Sequence, residues 1–237
     1  MDRQTRAYLY AAATILFWST VASAFKLSLQ HLDAAELLFY ASFVSLSVLV
    51  VILLIGGKLA ELGAWTVRDY ARSALMGFLN PFLYYLILFE AYSRLPAQEA
   101  QPLNFSWPIV LVLLSIVILH QRIGLFNLLA MALSFSGVLV ISTRGDLLGL
   151  RITDGLGVTL ALASTVVWAL YWIYGVKDSR DPVARLCLNF VFGCLFMTLF
   201  MLVFEGWRMP PLPGILGAVY VGLFEMGISF VLWLQAL

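Results

Sequence analysis

The sequence predicts an all-α integral membrane protein with about eight transmembrane helices. Of its 237 residues, 62% are hydrophobic and 11% are charged, whereas soluble domains have about 25% charged residues. Seven stretches of 17 to 22 residues contain no Asp, Glu, Lys, Arg or His, and an eighth contains a single Glu. Apolar and polar residues do not alternate in these stretches, so we expect helices rather than the strands of a membrane barrel.

The uncharged stretches give the positions of the predicted helices, α1 to α8. A helix needs about 20 apolar residues to cross the hydrocarbon layer, and each stretch approaches or exceeds that length. In chain order, α1 to α8 are predicted at residues 7–25, 37–57, 73–89, 100–119, 123–143, 155–176, 186–204 and 209–237.

The first stretch has a second interpretation, as a cleaved secretory signal. Arg3 and Arg6 precede it, and Ala22-Ser23-Ala24 resembles a cleavage site. Its 19 residues exceed the usual length of a signal core, and seven similar stretches follow. We therefore favour a retained α1.

Prolines and amides interrupt α3 and α4. Pro81 in α3, and Pro102 and Pro108 in α4, remove backbone donors and predict kinks. Asn80 and Asn104 lie beside them. Carbonyls freed in a membrane must meet protein or water, so these residues either line a cavity or belong to ordinary kinks whose polar groups are satisfied. Both interpretations stay open.

Large aromatic residues lie near the middle of α1 and α6, namely Trp18, Trp168 and Tyr171. They could form an aromatic wall of a substrate cavity, although packing between helices is the simpler interpretation.

Glu225 is the only ionisable residue inside α8. It lies about 11 residues into the membrane-spanning part of this stretch, roughly 16 Å at 1.5 Å per residue, close to the bilayer midplane. A charged group at that depth costs about 2.5–3.5 kcal/mol on insertion scales, so it usually faces a cavity or a partner. We predict either a carboxylate that contacts substrate or carries a proton, or a neutral Glu bonded to a neighbouring helix.

The order of helices suggests an internal repeat. Residues 77–91 align with residues 222–236 at a constant offset of 145, which pairs Gly77 with Gly222 and Asn80 with Glu225. An odd number of helices, α1 to α5, would invert a second copy that begins at α6, as in many secondary transporters. We therefore predict repeats at residues 7–143 and 155–237, the second with three helices, and expect two further helices in a complete second copy.

Lys and Arg between the predicted helices indicate the orientation. One side holds nine such residues: Arg3, Arg6, Lys58, Arg68, Arg72, Arg122, Lys177, Arg180 and Arg185. The other side holds five: Lys26, Arg94, Arg144, Arg151 and Arg208. Basic loops stay on the cytoplasmic side, so we predict a cytoplasmic N-terminus in the cell (inner) membrane.

The sequence offers no chemistry-bearing motif for an enzyme. It lacks a phosphate-binding Gly-x-x-x-x-Gly-Lys loop, a His-Glu-x-x-His pair and a Gly-x-Ser-x-Gly turn. No cofactor or metal is predicted, and a net charge of +1 disfavours nucleic acid as a partner. The expected partners are a small-molecule substrate and the lipid bilayer; a homodimer is left open.

Several motifs resemble EamA-type members of the drug/metabolite transporter superfamily. The segments Leu95-Pro96-Ala97-Gln98-Glu99-Ala100 and Leu103-Asn104-Phe105-Ser106-Trp107-Pro108-Ile109 are similar to the family's third-to-fourth helix turn and fourth helix. Gly137-Val138-Leu139-Val140-Ile141 is similar to the end of its fifth helix, and Phe17-Trp18-Ser19 to a pattern in its first.

The resemblance implies a ten-helix fold of two inverted five-helix repeats about a central cavity. It also implies transport of a small metabolite by alternating access, in the direction of export. The alternatives are an inactive or partner-dependent fragment and a membrane-embedded enzyme that modifies lipid.

Overall fold

The computed structural model describes residues 2–121, 123–143, 145, 154–176, 178–206 and 209–236. Within these ranges all regular secondary structure is helical, as predicted. Five of the basic residues used for the orientation lie outside them: Arg122, Arg144, Arg151, Lys177 and Arg208.

The eight predicted helices are present among the described residues. They are α1 (Arg3–Ser28), α2 (Ala34–Ile55), α3 (Val67–Arg94), α4 (Ala97–Leu119), α5 (Leu125–Ser142), α6 (Gly155–Val176), α7 (Pro182–Glu205) and α8 (Leu212–Ala236). Seven are long and apolar enough to cross a membrane, and α5 contributes a shorter apolar helix, Leu125–Val140. A one-turn helix, Leu59–Gly63, precedes α3.

Side chains at the starts of the helices cap their free N–H groups. The backbone N–H of Asp33 donates to Glu36 Oε2 at 3.1 Å before α2. Asp181 Oδ1 accepts from the N–H groups of Val183 (3.1 Å) and Ala184 (2.9 Å) at the start of α7. A carboxylate near the N-terminus of a helix accepts hydrogen bonds from backbone N–H groups that have no partner within the helix, and it faces the positive end of the helix dipole.

The long helix α3 is broken near its middle. Its halves, Val67–Gly77 and Tyr84–Arg94, are joined by a π-helical segment, Phe78–Leu83. Within that segment Asn80 has extended backbone angles (φ −148°, ψ 122°) and Pro81 follows. A proline has no N–H for a helical hydrogen bond, so α3 is a discontinuous helix.

Similar irregularities occur in three other helices. In α4 the halves Ala97–Asn104 and Trp107–Leu119 meet just before Pro108, which occupies the first turn of the second half. Pro102 lies inside the first half. Helix α7 ends in a π-helical segment, Met201–Glu205, and α8 contains one at Gly222–Gly227.

The chain forms two compact units. The first comprises Met1–Phe82 and Ser179–Leu237, and the second comprises Leu83–Asp178. In the first unit α7 packs against α2 and the first half of α3, while α8 packs against α1 and α2. In the second unit α6 packs against the second half of α3 and against α4. These units are defined in space, and the repeat boundaries at 7–143 and 155–237 stay a prediction.

Candidate functional site

In the first unit α3 and α7 cross with their backbones in contact. A Cβ atom on Gly77 would collide with the backbone oxygen of Asn189, and one on Gly193 would lie 2.5 Å from Pro81 Cδ. Small residues allow this close approach, which membrane helices use in place of hydrophobic association. The break in α3 is therefore fixed against one turn of α7.

A second crossing joins α8 to α2 within the same unit. A Cβ atom on Gly222 would lie 2.6 Å from the backbone oxygen of Ala41 and 2.7 Å from Val44 Cβ. Ser45 Oγ donates a hydrogen bond to the backbone oxygen of Gly222 at 2.6 Å.

The two crossings correspond residue by residue. Gly77 and Gly222 differ by 145, and each is the eleventh residue of its helix. Their contacts on the facing helices, Asn189 and Ala41, differ by 148, as do Phe192 and Val44. The two glycines therefore have similar environments, and the internal repeat stays a prediction.

Asn80 and Glu225 occupy matching positions three residues beyond these glycines. Each is the fourteenth residue of its helix. The side chain of Asn80 is fully buried, and both its amide nitrogen and its amide oxygen lack a hydrogen-bond partner among the described residues. Glu225 is also buried, with 9% of its surface exposed. Each helix therefore carries a buried polar group near the middle of its length.

Asn189 on α7 is a polar residue of this region that the sequence analysis missed. Its side chain is 1% exposed, and its Oδ1 atom has no hydrogen-bond partner in the part of the chain that is described. It lies inside an uncharged stretch without a neighbouring proline or charge, so nothing in the sequence marked it.

Trp18 lies on the α8 side of α1. Its ring packs against Trp233 with centroids 5.5 Å apart, and the neighbouring Phe17 packs against Phe224 at 5.1 Å. Trp18 therefore contacts α8, and its place in the wall of a substrate cavity stays a prediction.

In the second unit three predicted site residues lie in one cluster. Trp168 stacks on Tyr171 with centroids 5.6 Å apart and on Tyr84 at 4.5 Å. Asn104 Nδ2 donates to Ser164 Oγ at 3.0 Å, and the Tyr84 hydroxyl donates to Asn104 Oδ1 at 3.3 Å. The amide nitrogen and the amide oxygen of Asn104 thus both have hydrogen-bond partners. Two members of this cluster, Tyr84 and Ser164, were not predicted from the sequence.

A groove of about 480 Å³ lies between α1 and the first half of α8. Its lining combines hydroxyl groups, an imidazole and small apolar side chains: Thr20, Ser23, Ala24, Leu27, Ser28, His31, Pro213, Gly217 and Tyr220. The hydroxyls of Thr20 and Tyr220 form a hydrogen bond of 2.7 Å across it.

Charged residues just before α7 contact the segment before α3 and the first two turns of α3. Lys58 Nζ forms an ion pair with Asp181. Arg180 donates to the backbone oxygen of Asp69 at 2.9 Å and to Ser73 Oγ at 3.0 Å. Its guanidinium also lies 4.6 Å from the centre of the Trp65 ring, a favourable cation–π distance.

The ion pair shifts both of its pKa values. The hydrogen bond to Asp181 raises the pKa of Lys58. Partial burial works against ionisation of Asp181, but the hydrogen bonds from Lys58 and the α7 backbone outweigh it, so the pKa of Asp181 is lowered.

Among the described residues no group of three or more His, Cys, Asp or Glu side chains is placed to hold a metal ion. The buried polar side chains at the two crossings are amides, hydroxyls and the carboxylate of Glu225.

Residues 5–143 and 155–237 match the EamA-like transporter family. The chain belongs to that family. A broken α3, an apolar helical fold and mid-depth polar groups are in keeping with this membership, and the chain is a multi-pass membrane protein of a transporter family.

Two relatives of this EamA-like chain are named as exporters. It is 24% identical to the aromatic amino acid exporter YddG of Ancylobacter novellus, over 97% of this chain and 79% of the relative. It is 27% identical to a probable terminal-alkyne amino-acid exporter of Streptantibioticus cattleyicolor, over 93% of this chain and 72% of the relative. Across its curated relatives, the chain spans between 56% and 79% of their length.

A solved crystal structure shares the fold. It matches 97% of this chain and 78% of its own chain with a TM-score of 0.72 and 21% sequence identity. This likeness confirms the predicted fold class of the EamA-like chain.

Proposed function

We propose that this chain exports a small amino-acid-like metabolite across the cytoplasmic membrane by alternating access, without covalent chemistry. The observation that carries the proposal is the pair of matching crossings, at which Asn80 and Glu225 are buried at mid-depth. Transporters with inverted repeats bind substrate and coupling ions near the midplane, on discontinuous helices.

The substrate class rests on the relatives. YddG of Ancylobacter novellus and the Streptantibioticus cattleyicolor protein are both named for amino acids. An amino acid carries hydrogen-bond donors and acceptors beside a variable side chain, and the described interior offers amides, hydroxyls and a carboxylate to meet them. Aromatic amino acids are therefore the first substrates to test.

Glu225 is the proposed group that changes charge during the cycle. A carboxylate at mid-depth is costly unless a cavity or partner compensates it, which is why intramembrane acidic residues mark proton relays and ion pathways. No nucleotide-binding loop is present in the sequence, so an ion gradient is the proposed source of energy. We place the N-terminus in the cytoplasm, on the balance of nine basic residues against five.

Efflux from preloaded cells tests the proposal. Cells that express the 237-residue chain should release a labelled aromatic amino acid faster than cells without it, at a rate that depends on external pH. Glu225→Gln should slow release at least tenfold and remove the pH dependence, because the amide has a similar shape but does not titrate.

Asn127→Ala is the matched control, since Asn127 is exposed on α5. Membrane insertion should be equal in all variants by surface labelling. If the release rate of Glu225→Gln keeps the wild-type dependence on pH, Glu225 is not the group that changes charge. If no variant releases the amino acid, export by this chain is contradicted.

A further inference from the structure

We propose that Asn189 of α7, together with Asn80 of α3, forms a two-amide site that binds the ammonium and carboxylate groups of the transported molecule. The inference rests on the proposed function and deepens it, because it assigns a recognition site to residues of one helix crossing. Asn189 carried no signal in the sequence, and its place at the crossing is what points to this role.

The two asparagines lie at the same helix crossing. The backbone oxygen of Asn189 faces Gly77, and a Cβ atom on Gly193, one turn later on α7, would lie 2.5 Å from Pro81 Cδ. Asn80 lies between Gly77 and Pro81, in the segment where α3 is not helical. Residues 77–81 of α3 and 189–193 of α7 therefore form one continuous contact.

Three polar atoms at this crossing have no hydrogen-bond partner among the described residues. They are the Nδ2 and Oδ1 atoms of Asn80 and the Oδ1 atom of Asn189, on side chains that are 0% and 1% exposed. More than nine in ten buried polar groups in proteins are hydrogen-bonded, and the penalty for an unpaired group is larger where lipid replaces water. Three such atoms at one crossing call for a ligand that pairs with them.

The types of these atoms define the ligand. Two are carbonyl-type acceptors, which need N–H or O–H donors, and one is an amide donor, which needs an acceptor. The ammonium of an α-amino acid donates up to three hydrogen bonds, and its carboxylate accepts them one carbon away. A ligand that lacks the amine would leave both amide oxygens unpaired.

The cost of leaving the two amide oxygens unpaired should make the protein discriminate against ligands that lack the amine. Sites built to hydrogen-bond a polar group reject analogues that lack the group much more strongly than apolar pockets reject a missing methylene. The chain should therefore prefer an amino acid to its deaminated analogue, and the preference should depend on Asn189.

Binding to the purified protein tests the site separately from transport. Thermal stabilisation by phenylalanine and by 3-phenylpropionate, which lacks only the amine, is measured for the wild type, Asn189→Leu and the control Asn127→Leu. We expect the wild type and the control to bind phenylalanine at least tenfold more tightly than 3-phenylpropionate, and Asn189→Leu to bind the two compounds within about twofold of each other.

The variant also distinguishes a binding role from a structural one. Leu matches Asn in size and removes an unpaired polar group, so the unliganded variant should be as stable as the wild type or more stable. If Asn189→Leu keeps the wild-type preference for phenylalanine, or if the wild type shows no preference, the two-amide site is refuted. Export failing while the preference is present would overturn the proposed function and leave the site standing.

Discussion

At the residue scale, glycines decide how closely the helices approach. Gly193 lies against the ring of Pro81, whereas Gly137 on α5 has no described atom within 4 Å of the position a Cβ would take. The same substitution should therefore have opposite consequences at the two positions.

Gly193→Ala should destabilise the protein by about 1–3 kcal/mol, because the added methyl forces the backbones of α3 and α7 apart. Gly137→Ala should be neutral or slightly stabilising, since Ala favours helix over Gly by about 1 kcal/mol. Thermal unfolding in detergent measures both. Equal unfolding temperatures for the two variants would show that the crossing tolerates a side chain.

Single residues were predictable where the sequence isolates them. Glu225 stands out because it is the one ionisable residue of its stretch, and the structure buries it. Asn189 and Ser164 do not stand out, since an amide or hydroxyl in an apolar helix faces lipid or protein according to neighbours that lie far away in the chain. Their burial depends on tertiary packing, which periodicity alone does not encode.

At the element scale, the start of α7 combines two functions in one carboxylate. Asp181 Oδ1 caps the helix, while Oδ2 pairs with Lys58. Asn retains capping ability but no charge, and Ala retains neither. The pair of substitutions therefore separates the cap from the ion pair.

Asp181→Asn should cost less than about 1 kcal/mol, as is usual for partly exposed ion pairs, and Asp181→Ala about 1 kcal/mol more for the lost cap. The pH dependence has a defined sign. The lowered pKa of Asp181 gives stability that is present above its ordinary value of 3.8 and lost as the pH falls below it. The raised pKa of Lys58 gives stability that is present below 10.5 and lost as the pH rises above it.

Unfolding temperatures of the wild type and Asp181→Asn, measured from pH 3 to 11, check this expectation. The difference between them should be constant from about pH 5 to 9 and shrink at both extremes. A difference that changes steadily across the neutral range would indicate that another titrating group controls the contact.

Local sequence predicts some features of α3 but not others. Pro81 predicts an interruption, because the missing donor is a local property. It does not predict that Asn80 becomes extended. The break packs through Pro81 against Gly193, more than 100 residues away in the chain, and local sequence does not encode that contact. The π-helical segment of α8, at Gly222–Gly227, has no proline and left no local signal.

At the scale of the whole molecule, the eight helices were predictable because uncharged stretches of membrane length are rare in soluble proteins. The compact units were not. They divide the chain at 82/83 and 178/179, inside α3 and between α6 and α7, whereas the predicted repeats divide it between α5 and α6. Repeats reflect similarity along the sequence, and compact units reflect which helices exchange contacts.

Orientation in the membrane can be tested with single cysteines. Both native cysteines, Cys187 and Cys194, are buried, so they should react slowly. Gln30→Cys, in the exposed turn after α1, should react with an impermeant maleimide in intact cells. Ala64→Cys, in the segment before α3, should react only after the membrane is permeabilised. The reverse pattern would place the N-terminus outside.

The two crossings share a backbone geometry but have different linings. On one, α3 and α7 present neutral amides, Asn80 and Asn189; on the other, α8 and α2 present an acid and a hydroxyl, Glu225 and Ser45. Asn189 faces Gly77 at one crossing, and Ala41 faces Gly222 at the other. Duplication followed by divergence would produce this result. Both crossings would keep the backbone contact, and the charge of the lining side chains would change at one of them. A neutral lining at one crossing and an acidic lining at the other would give a dipolar substrate a preferred orientation.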